Sequence, residues 1–438
     1  MSLDTRLLDA LSAWRQAPAW RVAFSGGLDS TVLLHLLARL SRQHALPALS
    51  AIHVHHGLQA VADAWPEHCR QVCAQLGVPL QVLRVTVAPG ASVEQAARQA
   101  RYAAFATVLG QGEALLTAQH RDDQAETLLF RLLRGAGVRG LAAMPVHRPL
   151  GAGTLLRPLL DVSRAELQAY AGRHGVRWVE DPSNRDTGYA RNYLRQSVWP
   201  VLIRQWPQAS LTLARSAAHM AEAQQLLDEL AAEDLALAAT PAPFPWLPIP
   251  SLDLAPLLAL SEARQRNALR HWLAPLTRLP DSEHWAGWRC LRDAGVDAAP
   301  VWRLAQGELR RAEGRLWWLA GPWLREPSRP VGFFAAGETQ LPDNGRVCWT
   351  GTLPAGALHL AYRGGGERLD LPGRGRRDLK RLLNESGLPA FVRARVPLLM
   401  RGEELLAVGN LPQWRAEAAR AGELVWEPPA DDDQGLSC

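Results

Sequence analysis

The sequence predicts an α/β fold whose N-terminal domain contains a parallel sheet. Short apolar runs alternate with helical patterns up to residue 134, which is the pattern of a Rossmann-like domain built from βαβ units. A long amphipathic pattern at 211–239 precedes five prolines within 241–250, and such prolines form a stiff linker. Strand-like runs return later, as at 316–319. We therefore expect domains at 1–206, 207–325 and 326–438, the second mainly helical and the third a small α+β domain.

The N-terminal domain has four predicted strands, each followed by a helical pattern. The strands are 20–24, 48–54, 80–87 and 114–118, and the helices are 31–37, 61–76, 93–109 and 122–134. Right-handed connections place such strands in one parallel sheet, with a ligand crevice at their carboxyl ends. Residues that directly follow a strand are therefore the first candidates for a site.

The rest of the chain is predicted mostly from helical periodicity. Helices are expected at 164–174, from Arg191 to about Trp206, and at 211–239, 252–273 and 283–293. A polar run at 180–186 is typical of a lid over a site. Near the C-terminus, Leu379, Leu382 and Leu383 form the apolar face of a short helix that Gly387 ends.

Length and composition predict a soluble cytoplasmic protein of two to four domains. The 438 residues are 47% hydrophobic and 21% charged, as in ordinary globular proteins. The sequence has neither an apolar run of eighteen residues nor a signal peptide, so no membrane partner is expected. The five scattered cysteines fit a reducing compartment. A homodimer is one assembly that the sequence leaves open.

Positive charge is concentrated near the C-terminus. Residues 363–401 contain ten basic and four acidic side chains, a net charge of +6, while the whole chain carries +5. Such a segment favours docking of a polyanion, although a solvated surface is an alternative.

The loop Ser25-Gly26-Gly27-Leu28-Asp29-Ser30 lies between the first strand and its helix. Adjacent glycines let backbone N–H groups approach an anion, and the helix N-terminus adds positive charge. Ser25 and Ser30 are candidate phosphate donors. Asp29 is a candidate magnesium ligand, because a carboxylate near a polyphosphate needs a cation between them. The common P-loop motif is excluded, since the only lysine, Lys380, lies elsewhere, but a simple capped turn is an alternative.

Polar residues also follow the second and fourth strands. His53, His55 and His56 follow the second, where a zinc site is disfavoured because the spacing fits no common zinc motif. Gln119, His120, Asp122, Asp123 and Glu126 follow the fourth. The three carboxylates either complement the helix dipole or attract a cationic substrate or second metal ion. Arg98 either pairs with Glu94 one turn away or stabilises phosphate charge.

The motif Gly-x-Gly-x-x-Gly at 135–140 follows a helix instead of a strand. A dinucleotide site therefore fails its context requirement. We expect a helix C-cap and a loop there.

Several motifs occur together in one order, and their combination is specific. They are Ser25–Ser30, His53-Val54-His55-His56-Gly57-Leu58, 94–102, Asp122-Asp123-Gln124-Ala125-Glu126-Thr127, Arg134-Gly135, Asp181-Pro182-Ser183-Asn184 and Arg191-Asn192. This set resembles the bacterial tRNA(Ile)-lysidine synthetases, members of the N-type ATP pyrophosphatase (PP-loop) superfamily. The resemblance is strong to about Trp206 and looser beyond. Gln119 departs from the family, which often has a histidine there.

The resemblance implies a ligase that uses ATP and Mg²⁺ to join free L-lysine to the wobble cytidine of tRNA(Ile) with a CAU anticodon, through an adenylated tRNA. It further implies the following site residues: Ser25, Gly26, Gly27, Leu28, Asp29, Ser30 and His53 for ATP; Asp123 as base and Arg98 for phosphate charge; Asp122, Glu126, His120, Asn184 and Arg191 for lysine; and Arg374, Arg376, Arg377, Lys380 and Arg381 for tRNA. A tRNA 2-thiolation enzyme of the same superfamily and a non-catalytic tRNA-binding module are the alternatives.

Overall fold

The computed structural model describes residues 2–57, 60–87, 93–280, 283–295, 298–328, 334–335 and 337–430. The chain forms two compact units that divide between Leu226 and Leu227. The predicted domain boundaries at 206 and 325 stay predictions. Among the described residues, no helix has both the length and the hydrophobicity required to cross a bilayer.

The first unit is built on a six-stranded sheet with the order β3-β2-β1-β4-β6-β5. Its strands are β1 (Ala19–Ala23), β2 (Ala48–His55), β3 (Leu80–Arg84), β4 (Ala114–Leu116), β5 (His147–Leu150) and β6 (Gly153–Leu156). Five strands are parallel, as the alternating pattern predicts, and β5 pairs with β6 in the antiparallel direction. The sequence analysis missed this hairpin, because its strands are four residues long and Pro149 weakens the pattern. A proline is tolerated there because β5 is an edge strand.

Helices cover both faces of this sheet and surround its carboxyl edge. They are α1 (Leu3–Ala10), α2 (Leu28–Leu40), α3 (Trp65–Leu76), α4 (Val93–Val108), α5 (Arg121–Leu132), α6 (Val138–Leu141), α7 (Arg164–His174), α8 (Ala190–Tyr193), α9 (Trp199–Gln205) and the start of α10 (Ala209–Ala238). One core cluster packs α1, α2, α3 and α7 against one face, and a smaller cluster packs α4 against the other. The alternation of Leu115 and Leu116 between these clusters follows the two-residue period of a strand.

Two predicted elements in this unit differ in detail. The helix predicted at 61–76 begins as α3 at Trp65 after a 3-10 turn, Ala60–Ala64, because Pro66 is accommodated only in the first turn of a helix. The glycine motif at 135–140 caps α5 and opens the one-turn helix α6, with Gly135 at φ +70°. This arrangement confirms that no strand precedes it.

The described residues of the second unit form three sheets. Helices α11 (Leu254–Leu258), α12 (Glu262–Leu273) and α13 (Ala286–Asp293) accompany the antiparallel sheet β7-β10-β9-β8, formed by Ser251–Asp253, Arg315–Ala320, Gly307–Ala312 and Val301–Arg303 respectively. The single helix predicted at 252–273 is wrong at its start, because Ser251–Asp253 pairs with β10. Asp253 and Ser261 then cap two separate helices.

The C-terminal part of this unit has a three-stranded and a five-stranded sheet. The first has the order β11-β12-β18 (Glu338–Gln340, Arg346–Gly351, Gly422–Glu427), and the second has the order β13-β16-β17-β14-β15 (Leu358–Ala361, Leu398–Arg401, Glu404–Val408, Arg368–Leu371, Gly375–Asp378). Helices α14 (Leu379–Glu385) and α15 (Ala390–Arg393) complete the predicted α+β arrangement. Leu379, Leu382 and Leu383 are buried, as predicted, in a core that also holds Trp317 and Trp426.

Candidate active site

The loop after β1 has a backbone shape that requires glycine. Gly26 lies at φ +84°, and a Cβ atom there would be 3.2 Å from both Cys69 Sγ and Val179 Cγ2. The carbonyl of Gly26 also accepts a hydrogen bond from the N–H of Val179, at 3.0 Å. A side chain at residue 26 would therefore be strained and would crowd both neighbours, and the hydrogen bond fixes the loop against residue 179.

The two serines of the loop define an open helix N-terminus. Ser25 Oγ and Ser30 Oγ are 3.0 Å apart, and the hydroxyl of Ser30 donates to the carbonyl of Gly27. Gly27 is the N-cap of α2, and no side chain caps the helix there. Ser25 is exposed. This combination of glycine backbone, exposed hydroxyl and uncapped helix suits a phosphate group.

Asp29 lies in the first turn of α2 and faces the residues that follow β4. Its Oδ2 is 3.7 Å from His120 Nε2, and its buried Oδ1 has no hydrogen-bond partner among the described residues. Burial raises the pKa of Asp29, and the nearby Asp123 adds to this increase. An unpartnered carboxylate oxygen beside a phosphate loop fits a magnesium ligand, since Mg²⁺ is often held by one carboxylate plus substrate phosphates.

His53 and His55 are at the end of β2 and His56 directly follows it, and the described residues here include no group of three side chains that could hold a metal ion. The ring of His53 is buried and its Nδ1 lies 2.9 Å from the carbonyl of Phe24. Burial lowers the pKa of His53, so the ring is neutral, donates from Nδ1 and leaves Nε2 as an acceptor. Burial and Arg101 likewise lower the pKa of His56 to about 4.

His120 fixes the start of α5 and connects it with α2. Its Nδ1 accepts from the N–H of Asp123, and its own N–H donates to Asp123 Oδ2, which forms a capping box. With Nδ1 accepting, Nε2 carries the proton and lies 3.7 Å from Asp29 and 3.5 Å from Asp123 Oδ2. Asp122 instead accepts from the N–H of Arg164 at the start of α7. The predicted polar residues that follow β1 and β4 therefore lie close together.

Arg195 is the residue of this site that sequence reasoning missed. Its Nε and Nη2 each donate to Glu126 at 2.7 Å, and Nη2 also donates to Asp123 Oδ1 at 2.9 Å. Burial alone would lower the pKa of Arg195, but its hydrogen bond to Glu126 and the surrounding carboxylates raise it. Its spacing of four residues from Arg191 places both side chains on one side of a helix, and this pattern could have indicated Arg195 as a site residue.

The other predicted residues have different surroundings. Arg191 Nη2 donates to Thr127 Oγ1 at 3.0 Å, next to Glu126. Arg98 lies over the ring of Tyr102, with its Cζ 5.0 Å from the ring centroid.

Three predicted residues lie partly or wholly outside the described part of the chain: the side chains of Asn184 and Glu94, and the whole of Leu58. Asn192 donates to the carbonyls of Ser183 and Asp186 and so fixes the predicted lid segment.

Comparison with known proteins identifies the family. The family model "PP-loop domain" matches residues 2–202, "TilS substrate binding domain" matches 252–317 and "TilS substrate C-terminal domain" matches 358–426. The tRNA(Ile)-lysidine synthase of Pseudomonas fluorescens (strain Pf0-1) is 63% identical over 437 residues, which cover 100% of this chain and 99% of that protein. The chain belongs to the tRNA(Ile)-lysidine synthase family.

Other members of the tRNA(Ile)-lysidine synthase family are also similar over nearly the full length. The protein of Pseudomonas aeruginosa (strain PAO1) is 61% identical, covering 99% of both chains, and that of Escherichia coli O157:H7 is 41% identical, covering 95% of both. Membership confirms the predicted family, fold and ligase class, and it sets aside the thiolation enzyme and the non-catalytic module. The PP-loop domain implies ATP binding.

The basic residues predicted for tRNA lie within the segment matched by the family's C-terminal domain. Arg374, Arg376, Arg377, Lys380 and Arg381 are all exposed, on β15, α14 and the turn before them. Arg381 forms an ion pair with Glu385 one turn away. Their exposure suits contact with a polyanion, and their role in tRNA binding stays a prediction.

Proposed function

We propose that this protein ligates free L-lysine to the 2-position of the wobble cytidine in the CAU anticodon of tRNA(Ile), in the cytoplasm. ATP first adenylates the 2-carbonyl oxygen of the cytidine and releases pyrophosphate. The ε-amino group of lysine then attacks C2, and AMP leaves with the oxygen. Adenylation is needed because that oxygen is otherwise a poor leaving group.

The observation that carries this proposal is the contact between the phosphate loop and the acidic first turn of α5. His120 Nε2 lies 3.7 Å from Asp29 on α2 and 3.5 Å from Asp123 on α5. A nucleotide bound at Ser25–Ser30 is therefore adjacent to a cluster of carboxylates. Adenylation and amine attack need this adjacency, because the nucleobase must meet both ATP and lysine.

The charge of the cluster supports a cationic substrate. Asp123 and Glu126 bind the guanidinium of Arg195, and Asp29 and Asp122 each lie 3.7 Å from the ring of His120. Glu126 uses both oxygens on Arg195, whereas Asp123 uses Oδ1 and keeps Oδ2 beside His120. The surplus negative charge attracts the lysine ammonium.

Lysine must lose a proton before it attacks, since its ammonium has a solution pKa of about 10.4 and no lone pair. We assign Asp123 as the base that accepts this proton. Arg195 positions Asp123, and Asp122 and Glu126 hold the surrounding charge. Asn184 and Arg191 belong to the substrate side of the same site in this proposal.

The remaining roles concern ATP. Asp29 would hold Mg²⁺, which supplies charge neutralisation to the polyphosphate. The unpartnered Nε2 of His53 accepts a hydrogen bond from the nucleotide, and Arg98 faces the phosphate charge that develops on transfer. The exposed basic residues of β15 and α14 contact the tRNA backbone. A homodimer is compatible with this scheme but is not needed by it.

The test supplies the purified protein with ATP, labelled lysine and a tRNA(Ile) transcript with a CAU anticodon. We expect one lysine in the RNA for each AMP and each pyrophosphate released. A tRNA(Met) transcript with the same anticodon is the matched control and should remain unlabelled. Failure of lysine to enter the tRNA(Ile) transcript under any ATP or Mg²⁺ concentration would overturn the proposal.

A further inference from the structure

A second cluster of charged side chains lies on the first unit, outside the carboxylates described above. Four guanidinium groups surround the ring of Tyr102, and we call them the Tyr102 arginine cluster. Its members are Arg98 and Arg101 on α4, Arg148 on β5 and Arg157 directly after β6. The Cζ atoms of Arg148, Arg98 and Arg101 lie 4.9, 5.0 and 5.9 Å from the ring centroid.

The fourth member, Arg157, is buried and has unused hydrogen-bonding capacity. Arg157 is 3% exposed, and its Nη1 donates to the carbonyl of Pro145 at 2.6 Å. Its Nε is buried without a partner among the described residues. Burial, together with Arg148 and Arg98, lowers the pKa of Arg157. The hydroxyl of Tyr102 is an acceptor that the chain provides beside this guanidinium, so only Nε lacks an acceptor among the described residues. A buried donor left unpaired is unfavourable.

No carboxylate among the described residues neutralises the cluster. None of its four arginines forms an ion pair with a described aspartate or glutamate. Arg131 and Arg191 add to the same positive region, since both lie close enough to Arg98 or Arg101 to disfavour each other's charge. Guanidinium groups stay charged at neutral pH. A bound anion would therefore stabilise the arrangement.

Arg157 places the Tyr102 arginine cluster at the same edge of the sheet as the proposed active site. Arg157 follows the carboxyl end of β6, as His120 follows β4 and Ser25 follows β1, and these parallel strands are neighbours in the order β1-β4-β6. At about 4.8 Å per strand, Arg157 lies about 10 Å across the sheet edge from the phosphate loop. Arg191, bonded to Thr127 beside Glu126, lies between the cluster and the acidic turn.

We propose that the Tyr102 arginine cluster binds a backbone phosphate of the RNA strand whose nucleotide enters the active site. Guanidinium forks match phosphate oxygens in geometry and charge. Arg98 is assigned above to the phosphate charge of ATP, whose polyphosphate binds at Ser25–Ser30, two strands away. Arg101, Arg148 and Arg157 therefore remain for an anion of another molecule. Only the identity of that RNA as tRNA(Ile) rests on the proposed function.

The test measures RNA binding without ATP or lysine, so it does not depend on catalysis. The full-length protein carrying Arg148→Gln is titrated with a labelled anticodon stem-loop over a range of salt concentrations. Removal of one phosphate interaction with a single strand should reduce the log–log salt slope by about 0.7 and weaken binding roughly fourfold at about 0.15 M salt. Arg148→Lys should keep most of the slope, because it retains the charge. Arg42→Gln, an exposed arginine after α2, is the matched control and should behave as the wild type.

Calorimetry with ATP provides the second measurement on the same variants. We expect unchanged ATP affinity in Arg148→Gln, which also shows that the domain is folded. Unchanged RNA affinity and slope in this variant would overturn the proposal. Weakened ATP binding with unchanged RNA binding would also overturn it and would assign the cluster to polyphosphate. If the wild type binds RNA in this salt-sensitive way but never transfers lysine, the proposed function fails while the RNA-binding role of the cluster stands.

Discussion

Arg195 donates to both carboxylate oxygens of Glu126, at 2.7 Å each, across 69 residues of sequence. Glu126 is 3% exposed, so its charge depends on this partner. The same guanidinium reaches Asp123, and it thereby connects the helix after the lid segment with the acidic turn of α5.

Replacement of Arg195 by methionine should destabilise the protein by about 3–5 kcal/mol, because it leaves a buried carboxylate unpaired. Urea unfolding measures this change. The double variant Glu126→Gln/Arg195→Met should recover part of the stability, since no buried charge remains. Equal destabilisation in the single and double variants would show that the ion pair itself is not the cause.

The variant Asp123→Asn should reduce the rate of lysine transfer by about 100-fold or more, the usual contribution of a general base. RNA-dependent release of pyrophosphate should persist, because adenylation needs no proton from lysine. Asp9→Asn on the exposed side of α1 is the control. Unchanged lysine transfer at neutral pH would exclude Asp123 as the base.

Gly26→Ala should weaken ATP binding, whereas Gly77→Ala should not. Both glycines have positive φ, +84° and +70°, so each substitution costs about 1 kcal/mol of stability from backbone strain. Only at residue 26 does the new methyl group meet neighbours, at 3.2 Å, while residue 77 faces open space. Calorimetric titration with ATP, paired with urea unfolding, separates the two effects. Equal ATP affinity in both variants would contradict the assignment of the loop.

Stability should fall as the pH falls from about 6.5 to about 4, in part because of His56. Its pKa is lowered to about 4 by burial, Arg101, His53 and His55. In this window the unfolded chain binds a proton at residue 56 that the folded protein does not. The contribution of His56 to the free energy of unfolding is therefore complete above about pH 6.5 and is lost progressively as the pH falls to about 4. Because the ring is only partly buried, solvent screening reduces this linkage to about 1–2 kcal/mol.

The matching measurement follows the free energy of unfolding against pH for His56→Asn and for His44→Asn, an exposed histidine. The first variant should show a shallower decline than the wild type. The second should retain the wild-type slope. A decline of the same steepness in all three proteins would remove His56 from the explanation.

Replacing Arg374, Arg376 and Arg377 together by glutamine should flatten the salt dependence of tRNA binding, by about 0.9 in the log–log slope for each phosphate that the protein no longer neutralises. These side chains are exposed, so the fold should be unaffected. Arg420→Gln, which removes an exposed arginine of the same unit paired with Glu417, is the control. A slope equal to that of the wild type would show that β15 does not bind the tRNA.

The sequence predicted the parallel sheet and the residues at its strand ends because both depend on local patterns. Ser25–Ser30, His120 and Asp123 each follow a strand or open a helix, His53 lies near the end of β2, and the topology brings them together. The partner of Glu126 could not be predicted in this way, since Arg195 arrives from a distant helix. Leu252 and Asp253 were predicted as the start of a helix, because the strand Ser251–Asp253 gains its conformation only from pairing with β10.

The hydrogen bond from the N–H of Val179 to the carbonyl of Gly26 connects the loop after β1 with the segment that follows α7. Residue 179 leads directly into the polar stretch that Asn192 fastens to its own helix, and Arg191 and Arg195 lie on either side of that asparagine in the chain. We expect that ordering of the loop by a bound nucleotide also orders this segment and, through it, the residues proposed to bind lysine. Occupancy by ATP should accordingly be visible as slower proteolysis within residues 180–186, at a distance from the atoms that touch the triphosphate.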